Sequence, residues 1–440
     1  MVFTVNVGGE VRLGPVPGEP NEQSYDLAVI AFGDDGTFSN PGQLSAAAAA
    51  ITHARNNPNG AIVVVFIHGW HHNADWNIAT DGGDSHFRAF RQTLAFITLR
   101  EAERYLPHPG GRRVVGVYIG WNGDPADSWL TGAGPLTHLS FWDRYSVAKH
   151  IGDGAPMREV VRTIVEKTKQ RLPDEGHAAP AVESPVILIG HSMGALMLES
   201  AFLALIRDPA APLVYPSAGE ASIIDVRRDG KRVRFPDVLI ALNSAADSSI
   251  HHEIRRTLVG QRFTKTVGEP DTRYAGPLLM SATSSADSDT KVVWRAANLP
   301  WIGRTTDGHD ATLFTHRLES DQRQVTCNPR GFVDFGQNWH CLRAPEPPNV
   351  ATPRIAVDLP IRDRAATDDV PPFARYVLAP LGNMDKAHLT WVFQVPPQIV
   401  VDHNDIFNPR ASSLMLALIQ TSGAIMSLAA DWESTFEADA

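Results

Sequence analysis

Cysteine is scarce in this chain of 440 residues, which contains only Cys327 and Cys341. Two cysteines exclude a disulfide-dense scaffold and a zinc site built from four cysteines. The pair encloses a ring of 15 residues, and a disulfide there would stabilise the fold by about 3 kcal/mol through restriction of the unfolded chain. In a cytosolic protein the same residues stay free thiols, so the sequence leaves both states open.

Long apolar runs and an excess of basic residues are absent as well. The nearest case to a run of about 18 apolar residues is residues 411–430, which contain six serine, threonine and glutamine side chains. We therefore expect a packed helix there and no transmembrane segment. The first residues lack a basic segment followed by an apolar core, which predicts no secretory signal and a cytoplasmic protein. Lys and Arg number 39 against 49 Asp and Glu, which argues against a nucleic-acid partner and a polybasic membrane anchor.

Short apolar runs alternate with helical patterns over most of the chain. Residues 61–67 (AIVVVFI) are apolar throughout, which is typical of a strand buried on both faces of a parallel sheet. The alternation predicts an α/β fold, with a mostly parallel sheet flanked by helices. A surface hairpin is expected at residues 222–235, around Asp229-Gly230. The expected strands cover residues 26–32, 61–67, 114–119, 185–189, 238–242, 277–281 and 390–395, and the expected helices cover residues 43–56, 87–104, 158–171, 195–206 and 411–430.

The alternation stops between residues 299 and 387, where aromatic, proline and arginine residues follow no sustained period. A stretch of this length inside a compact domain usually has a function of its own, such as a lid. We therefore expect a core formed by residues 1–298 and 388–440, with a cap inserted at residues 299–387. The aromatic residues of the insertion suit a pocket for an acyl or aryl group, and equally the small hydrophobic core that a cap needs for itself.

The motif Gly190-His191-Ser192-Met193-Gly194 lies between the predicted strand PVILI and the predicted helix ALMLESAFLALI. A G-x-S-x-G motif between a strand and a helix is typical of a nucleophile elbow. The turn is so tight that the residues two before and two after the serine must be small, which Gly190 and Gly194 satisfy. Ser192 is thus the candidate nucleophile, and the alternative is an ordinary turn with a serine N-cap.

A second motif, FIHGWHHN at residues 66–73, follows the predicted strand 61–67. An elbow serine needs two backbone N–H donors for an oxyanion, one after the nucleophile and one in a loop after an upstream strand. Met193 and Trp70 are the candidate donors, with His71 next to Trp70. His68 and Gly69 are expected to support the loop. The histidines lack the carboxylate or cysteine spacing of a metal site, so no metal is predicted.

Together with the segments DSDTK and DHND, the two motifs resemble those of α/β-hydrolase fold serine esterases and lipases, and are similar to a bacterial and fungal group of uncharacterised α/β-hydrolases. The resemblance covers residues 25–298 and 388–430, and it leaves out the segment between them. It implies hydrolysis of carboxylic esters through an acyl-enzyme, without a cofactor. It also implies a triad in the chain order serine, acid, histidine.

The resemblance places the acid just after a late strand. The segment ADSDTK matches the form A-D-x-x-T-K, which assigns the acid to Asp287. Asp289 in the same segment is one alternative. Asp247, which follows the predicted strand 238–242, is the other, because some lipases carry the acid one strand earlier.

The histidine of the triad is expected between the last strand and the last helix, which indicates His403. The acid and the base are then 116 residues apart, far more than a bare core needs. For this reason His309, His316 and His340 inside the insertion remain alternative bases, unless they only pack the cap.

These residues predict a carboxylic ester hydrolase that acts on a small-molecule ester. An amidase, a peptidase or an acyltransferase would use the same triad. A hydrolase fold without activity, used as a binding protein, is the third reading. The presence of a candidate nucleophile, acid and base favours an enzyme over the binding protein.

Overall fold

An eight-stranded sheet forms the centre of the molecule, whose structure is a computed structural model. The small sheets and the helices pack around it or extend from its edges. The residues that the structure describes are 2–6, 12–13, 24–73, 84–104, 111–123, 137–169, 184–207, 226–228, 231–233, 237–260, 277–290, 305–325, 332–335, 338–341, 355–360, 373–381 and 389–422.

The central sheet is parallel except at one edge, where β1 pairs antiparallel with β3. Strand β4 is buried at every position, as its uninterrupted apolar sequence predicts. The α/β class with a mostly parallel sheet is therefore confirmed. In spatial order the strands are β1 (Val2–Asn6), β3 (Ser24–Phe32), β5 (Arg113–Trp121), β4 (Ala61–Ile67), β6 (Val186–His191), β9 (Val238–Leu242), β10 (Leu279–Ser284) and β16 (Thr390–Val395).

Helices cover both faces of this sheet and bury one hydrophobic cluster on each. One cluster includes side chains of α1, α3, α4, α5 and α6, and the other includes side chains of α2 and α7. The expected helices are present over the described residues, and the last one ends at Thr421, whereas residues 170–171 and 423–430 of the expected helices lie outside the described part of the chain. Helices α3 and α6 were not expected. Helix α3 shows no clear apolar stripe in its sequence, so periodicity could not find it. The helices are α1 (Gly42–Arg55), α2 (Ser85–Arg104), α3 (Thr137–Asp153), α4 (Ala155–Lys169), α5 (Met193–Arg207), α6 (Ser248–Gly260) and α7 (Pro409–Thr421).

The predicted hairpin is present as two short antiparallel strands, and its position at the surface stays a prediction. Strand β7 (Val226–Arg228) pairs with β8 (Lys231–Val233), and Arg228 lies opposite Lys231. The Asp229-Gly230 turn itself lies outside the described residues. The pairing nevertheless has the register that a two-residue turn between these strands requires.

The segment 299–387 contains regular strands, which its irregular sequence pattern did not predict. Three of them form an antiparallel sheet, and two others pair next to the short strand β2. Leu318 and Leu378 of the three-stranded sheet join the hydrophobic cluster that α7 buries, so this sheet packs on the central domain. That the segment caps the functional site stays a prediction. The strands are β2 (Arg12–Leu13), β11 (His316–Val325), β12 (Phe332–Phe335), β13 (Asn338–Cys341), β14 (Ile355–Pro360) and β15 (Phe373–Pro380).

The sequence predicted no transmembrane segment and left open a disulfide between Cys327 and Cys341. None of the helices in the described ranges has the length and apolar character needed to cross a bilayer. A bond between Cys327 and Cys341 cannot be assigned, because residue 327 and the side chain of residue 341 lie outside the described part of the chain.

Candidate active site

Ser192 occupies the sharp turn between β6 and α5, at the carboxyl edge of the central sheet. Its backbone has a φ of +56°, a left-handed conformation that costs a non-glycine residue on the order of 1–3 kcal/mol. Backbone hydrogen bonds tie the turn to the neighbouring segment: the Ser192 N–H donates to Leu242 O at 2.9 Å, and Ser192 O accepts from Ala245 N at 3.1 Å. The strained backbone of Ser192 is therefore held in place by β9 and by the loop that follows β9.

The predicted small residues flank the turn. Gly190 lies near the end of β6, and Gly194 is the second residue of α5. A Cβ atom on Gly194 would lie 2.3 Å from Ile67 O and 2.5 Å from His68 O, closer than atoms can approach. Only glycine allows α5 to start this close to the end of β4.

Ser192, His403 and Asp287 form a continuous chain of hydrogen bonds. His403 Nε2 lies 2.6 Å from Ser192 Oγ, and His403 Nδ1 lies 2.9 Å from Asp287 Oδ2. Since a carboxylate can only accept, Nδ1 carries the imidazole proton, and Nε2 is left to accept the hydroxyl proton of Ser192. Ser192 and His403 are 211 positions apart in sequence, and Asp287 and His403 are 116 positions apart. All three side chains are nevertheless buried.

The Asp287 carboxylate is held from two sides. Its Oδ1 accepts from the backbone N–H groups of Asp289 at 2.9 Å and Thr290 at 3.0 Å. Its Oδ2 accepts from the Thr290 hydroxyl at 2.7 Å, besides the imidazole of His403. Burial alone would raise the pKa of Asp287, but the charge and hydrogen bond of His403 and the donors of Thr290 lower it to about 2. Asp287 is therefore an anion at neutral pH.

His403 is buried beside this anion. Burial lowers its pKa, whereas the charge and hydrogen bond of Asp287, together with the charges of Asp289 and Asp402, raise it by more, so the net shift is upward. An imidazole in this setting takes up a proton readily and holds it beside a carboxylate. The arrangement is suited to accept the proton of Ser192 and to stabilise the resulting imidazolium.

The loop after β4 packs directly against Ser192. A Cβ atom on Gly69 would lie 2.6 Å from Ser192 Cβ, so the loop backbone meets the serine at contact distance. His68 supports this loop: its Nδ1–H donates to Gly69 O at 2.9 Å, and its Nε2 accepts from Trp121 N–H at 3.0 Å. Burial lowers the pKa of His68 to about 4, which keeps the ring neutral in both contacts.

The two predicted backbone donors for an oxyanion, at Trp70 and Met193, stay predictions. Met193 is the first residue of α5, where a helix has N–H groups without intrahelical partners. The N–H of His71 donates to Gly123 O at 3.2 Å, which commits it to the loop. Trp70 is therefore a better candidate than His71 for the loop N–H that would donate to an oxyanion.

The alternative acids do not contact the His403 imidazole in the described structure. Asp289 is half-exposed and contributes its backbone N–H to Asp287. Asp247 caps the start of α6, where its Oδ1 accepts from Ser249 N at 2.9 Å. Asp287 alone of the three predicted acids makes the hydrogen bond to His403 Nδ1.

The alternative bases occupy other surroundings. His309 Nε2 lies 3.0 Å from the Thr290 hydroxyl, behind the acid. His316 is buried against Trp391, with ring centroids 4.1 Å apart. His340 lies in β13, and its side chain is outside the described residues.

The remaining histidines of the loop make a cluster with the start of α2. His72 Nδ1 lies 2.9 Å from Asp84 Oδ2, and the rings of His72 and His86 stack with centroids 3.4 Å apart. Asp84 also caps α2 by accepting from the His86 N–H at 2.8 Å. Within the described ranges, no group of three histidine, cysteine or acidic side chains has the arrangement of a metal site.

A cavity of about 320 Å³ adjoins these residues. It lies between the loop after β4, the start of α2 and the turn that follows His403, and its described lining does not include Ser192 or His403 themselves. Its lining is formed by His71, His72, Ser85, His86, Asn404, Asp405, Phe407 and Asn408.

Sequence reasoning missed several buried polar residues that support Ser192, His403, Asp287 and the helix α5. Thr290 fixes the acid, and His191 and Asn243 contact the backbone of the His403 loop. Glu199, inside the apolar sequence of α5, is fully buried and accepts from the Ser244 hydroxyl at 2.7 Å. Glu199 carried a usable signal, because one carboxylate in an otherwise apolar helix needs a partner.

No protein-family model, curated protein or solved structure matches this chain. The function is therefore inferred from the chemistry and geometry of the chain's own residues.

Proposed function

We propose that this protein is a carboxylic ester hydrolase of the α/β-hydrolase fold, with Ser192, His403 and Asp287 as its catalytic triad. The observation that carries this proposal is the hydrogen-bond chain from Ser192 Oγ to His403 Nε2 and from His403 Nδ1 to Asp287 Oδ2. A hydroxyl, an imidazole and a carboxylate in this order are the parts of a serine nucleophile with its general base and orienting acid.

In the proposed reaction, His403 Nε2 takes the hydroxyl proton as Ser192 Oγ attacks the ester carbonyl carbon. Asp287 keeps the Nδ1–H tautomer and stabilises the imidazolium that forms. The N–H groups of Trp70 and Met193 donate to the oxyanion of the tetrahedral intermediate. His403 then protonates the leaving alcohol, and water, activated by the same imidazole, releases the acid from Ser192.

The fold assignment has support from local geometry and from chain order. Ser192 lies on a strained strand-to-helix turn with a positive φ, as a nucleophile elbow requires, and the order serine, aspartate, histidine is that of α/β-hydrolases. The inserted segment 299–387 separates the acid from the base. We propose that it acts as a cap, which would limit access to the site.

We propose that the cavity next to the turn after His403 receives part of the substrate, which favours small esters. Its volume of about 320 Å³ is at the lower end of the range for small-molecule pockets. Its lining combines histidine, serine, aspartate and asparagine side chains with the Phe407 ring. We therefore expect turnover of p-nitrophenyl esters to fall as the acyl chain lengthens from acetate to decanoate.

Turnover of p-nitrophenyl butyrate by the wild type, Ser192→Ala and His403→Ala tests the proposal. Both variants should lose several orders of magnitude in kcat. Ser249→Ala, an exposed serine of α6, and His53→Ala, an exposed histidine of α1, are matched controls that should keep wild-type activity. Substantial activity in Ser192→Ala would exclude the proposed mechanism.

A matched pair of substrates separates the esterase from an amidase. The p-nitrophenyl ester and the p-nitroanilide of butyric acid carry the same acyl group. Faster hydrolysis of the anilide would favour the amidase alternative, and transfer of the butyryl group to an added alcohol in preference to water would favour an acyltransferase.

A further inference from the structure

Asn243 connects the segments that carry the proposed triad. It follows β9, is buried, and has a left-handed backbone with a φ of +46°. Its Oδ1 accepts from the N–H of Ser284, the last residue of β10, at 2.8 Å, and its Nδ2 donates to the carbonyl oxygen of His403 at 2.7 Å. One amide thus joins the strand that leads to Asp287 to the loop that carries His403.

The same carbonyl oxygen of His403 accepts from a second donor. His191, the residue before the nucleophile, reaches it through Nε2 at 2.8 Å, and because a carbonyl only accepts, Nε2 carries the proton. Burial holds the pKa of His191 well below its ordinary value, so the ring stays neutral. The base loop is therefore bound to the nucleophile segment as well.

Further contacts hold the residues just before His403. Asn243 Nδ2 also lies 3.4 Å from Asp402 O, and the Ser284 hydroxyl donates to Val400 O at 2.6 Å. His403 is consequently held at its backbone carbonyl and at Nδ1, where Asp287 accepts. With both ends fixed, Nε2 stays 2.6 Å from Ser192 Oγ.

We infer that Asn243 is a positioning residue, whose amide keeps the imidazole of His403 within reach of Ser192. The inference rests on the proposed function. Asn243 is not in contact with the reacting atoms, and it acts through the backbone of His403. Misplacement of a catalytic group by about 1 Å can cost on the order of 100-fold in rate, so loss of the amide should appear in kcat.

Two substitutions remove the donor in different ways. Asn243→Gly removes all three side-chain hydrogen bonds, and glycine adopts the left-handed backbone without strain. Asn243→Asp keeps the side-chain shape, the tolerance for positive φ and the acceptor for Ser284, but turns an oxygen towards the His403 carbonyl. We expect kcat for p-nitrophenyl butyrate to fall about 10- to 100-fold in both variants, with KM changed by about threefold or less.

A matched control and a second background separate positioning from loss of stability. Asn56→Gly, at an exposed asparagine that ends α1, should keep wild-type kcat. Thermal unfolding of each variant shows that the assays are made on folded protein. In the His403→Ala background, Asn243→Gly should change the residual rate by about twofold or less, because its target imidazole is gone.

Two results would overturn the inference. One is a folded Asn243→Asp protein with wild-type kcat. The other is an equal loss of rate from Asn243→Gly with and without His403, which would indicate a general structural role. A wild-type chain that hydrolyses no ester would instead refute the proposed function, so the two failures are distinguishable.

Discussion

Replacement of Asp287 by asparagine should move the proton of the His403 imidazole, the proposed base, to the wrong ring nitrogen. Two backbone N–H groups, those of Asp289 and Thr290, point at Oδ1 of Asp287. Backbone donors cannot rotate away, so the amide oxygen of Asp287→Asn must take the Oδ1 position. Its NH2 group then occupies the Oδ2 position, 2.9 Å from His403 Nδ1. An NH2 donor there requires an unprotonated Nδ1, which moves the imidazole proton to Nε2.

The consequence for catalysis is large. With its proton on Nε2, His403 can no longer accept the hydroxyl proton of Ser192. A tautomer error of this kind costs about 10⁴-fold in kcat in a serine protease triad, or about 5 kcal/mol of transition-state stabilisation. We expect a loss of that order for Asp287→Asn, measured with p-nitrophenyl butyrate at saturation and with thermal unfolding as the check on folding.

Asp289→Asn is the matched control for this substitution. Asp289 contributes its backbone N–H to Asp287, which the substitution keeps, and its half-exposed side chain acts on His403 only through charge. We expect a change in kcat of about threefold or less. Reversed effects would show that Asp289 is the acid. If both substitutions lower kcat only slightly, the reasoning is refuted and Asp247 becomes the candidate acid.

Three other outcomes are expected. His309→Ala and His316→Ala should keep most of the wild-type kcat, because neither ring contacts Ser192; a loss like that of His403→Ala would contradict this. The acid limb of kcat/KM against pH should have its midpoint above 6.5, the ordinary pKa of histidine, since the net shift at His403 is upward; a midpoint below 6.5 would contradict this. Burial raises the pKa of Glu199 to about 7, so its ionisation in the unfolded chain lowers wild-type stability between pH 4.5 and 7. Glu199→Gln should therefore gain about 3 kcal/mol over the wild type in chemical denaturation between pH 4 and pH 8, and equal curves would contradict the burial argument.

The central sheet could be predicted from the sequence because its strands are local signals. The apolar run of β4 and the strand–turn–helix context of Ser192 each lie within a few residues. The hairpin β7–β8 was found in the same way, from one Asp-Gly pair. Segment 299–387 was harder, because its strands pair in small sheets whose sequences show neither strict alternation nor uninterrupted apolar runs.

The residues of the proposed site also differ in how clearly local sequence signals marked them. Ser192 and the loop at His68 were marked by motifs, whereas Asp287 and His403 depended on a family resemblance and on chain order. Asn243 could not have been found, because its partner His403 is 160 residues away and an asparagine after a strand has many ordinary uses. Contacts between residues so far apart in sequence can be identified only in the folded structure, where the carboxyl ends of the parallel strands lie side by side.

Labelling of the nucleophile tests the central claim most directly. The wild-type protein is treated with a fluorophosphonate, its intact mass is measured, and the modified residue is located by peptide mapping. The proposed mechanism predicts one phosphonyl group per chain, on Ser192, and no adduct on the Ser192→Ala variant. An adduct on another serine, or an unlabelled Ser192 in a protein that still hydrolyses p-nitrophenyl butyrate, would contradict the claim that Ser192 is the nucleophile.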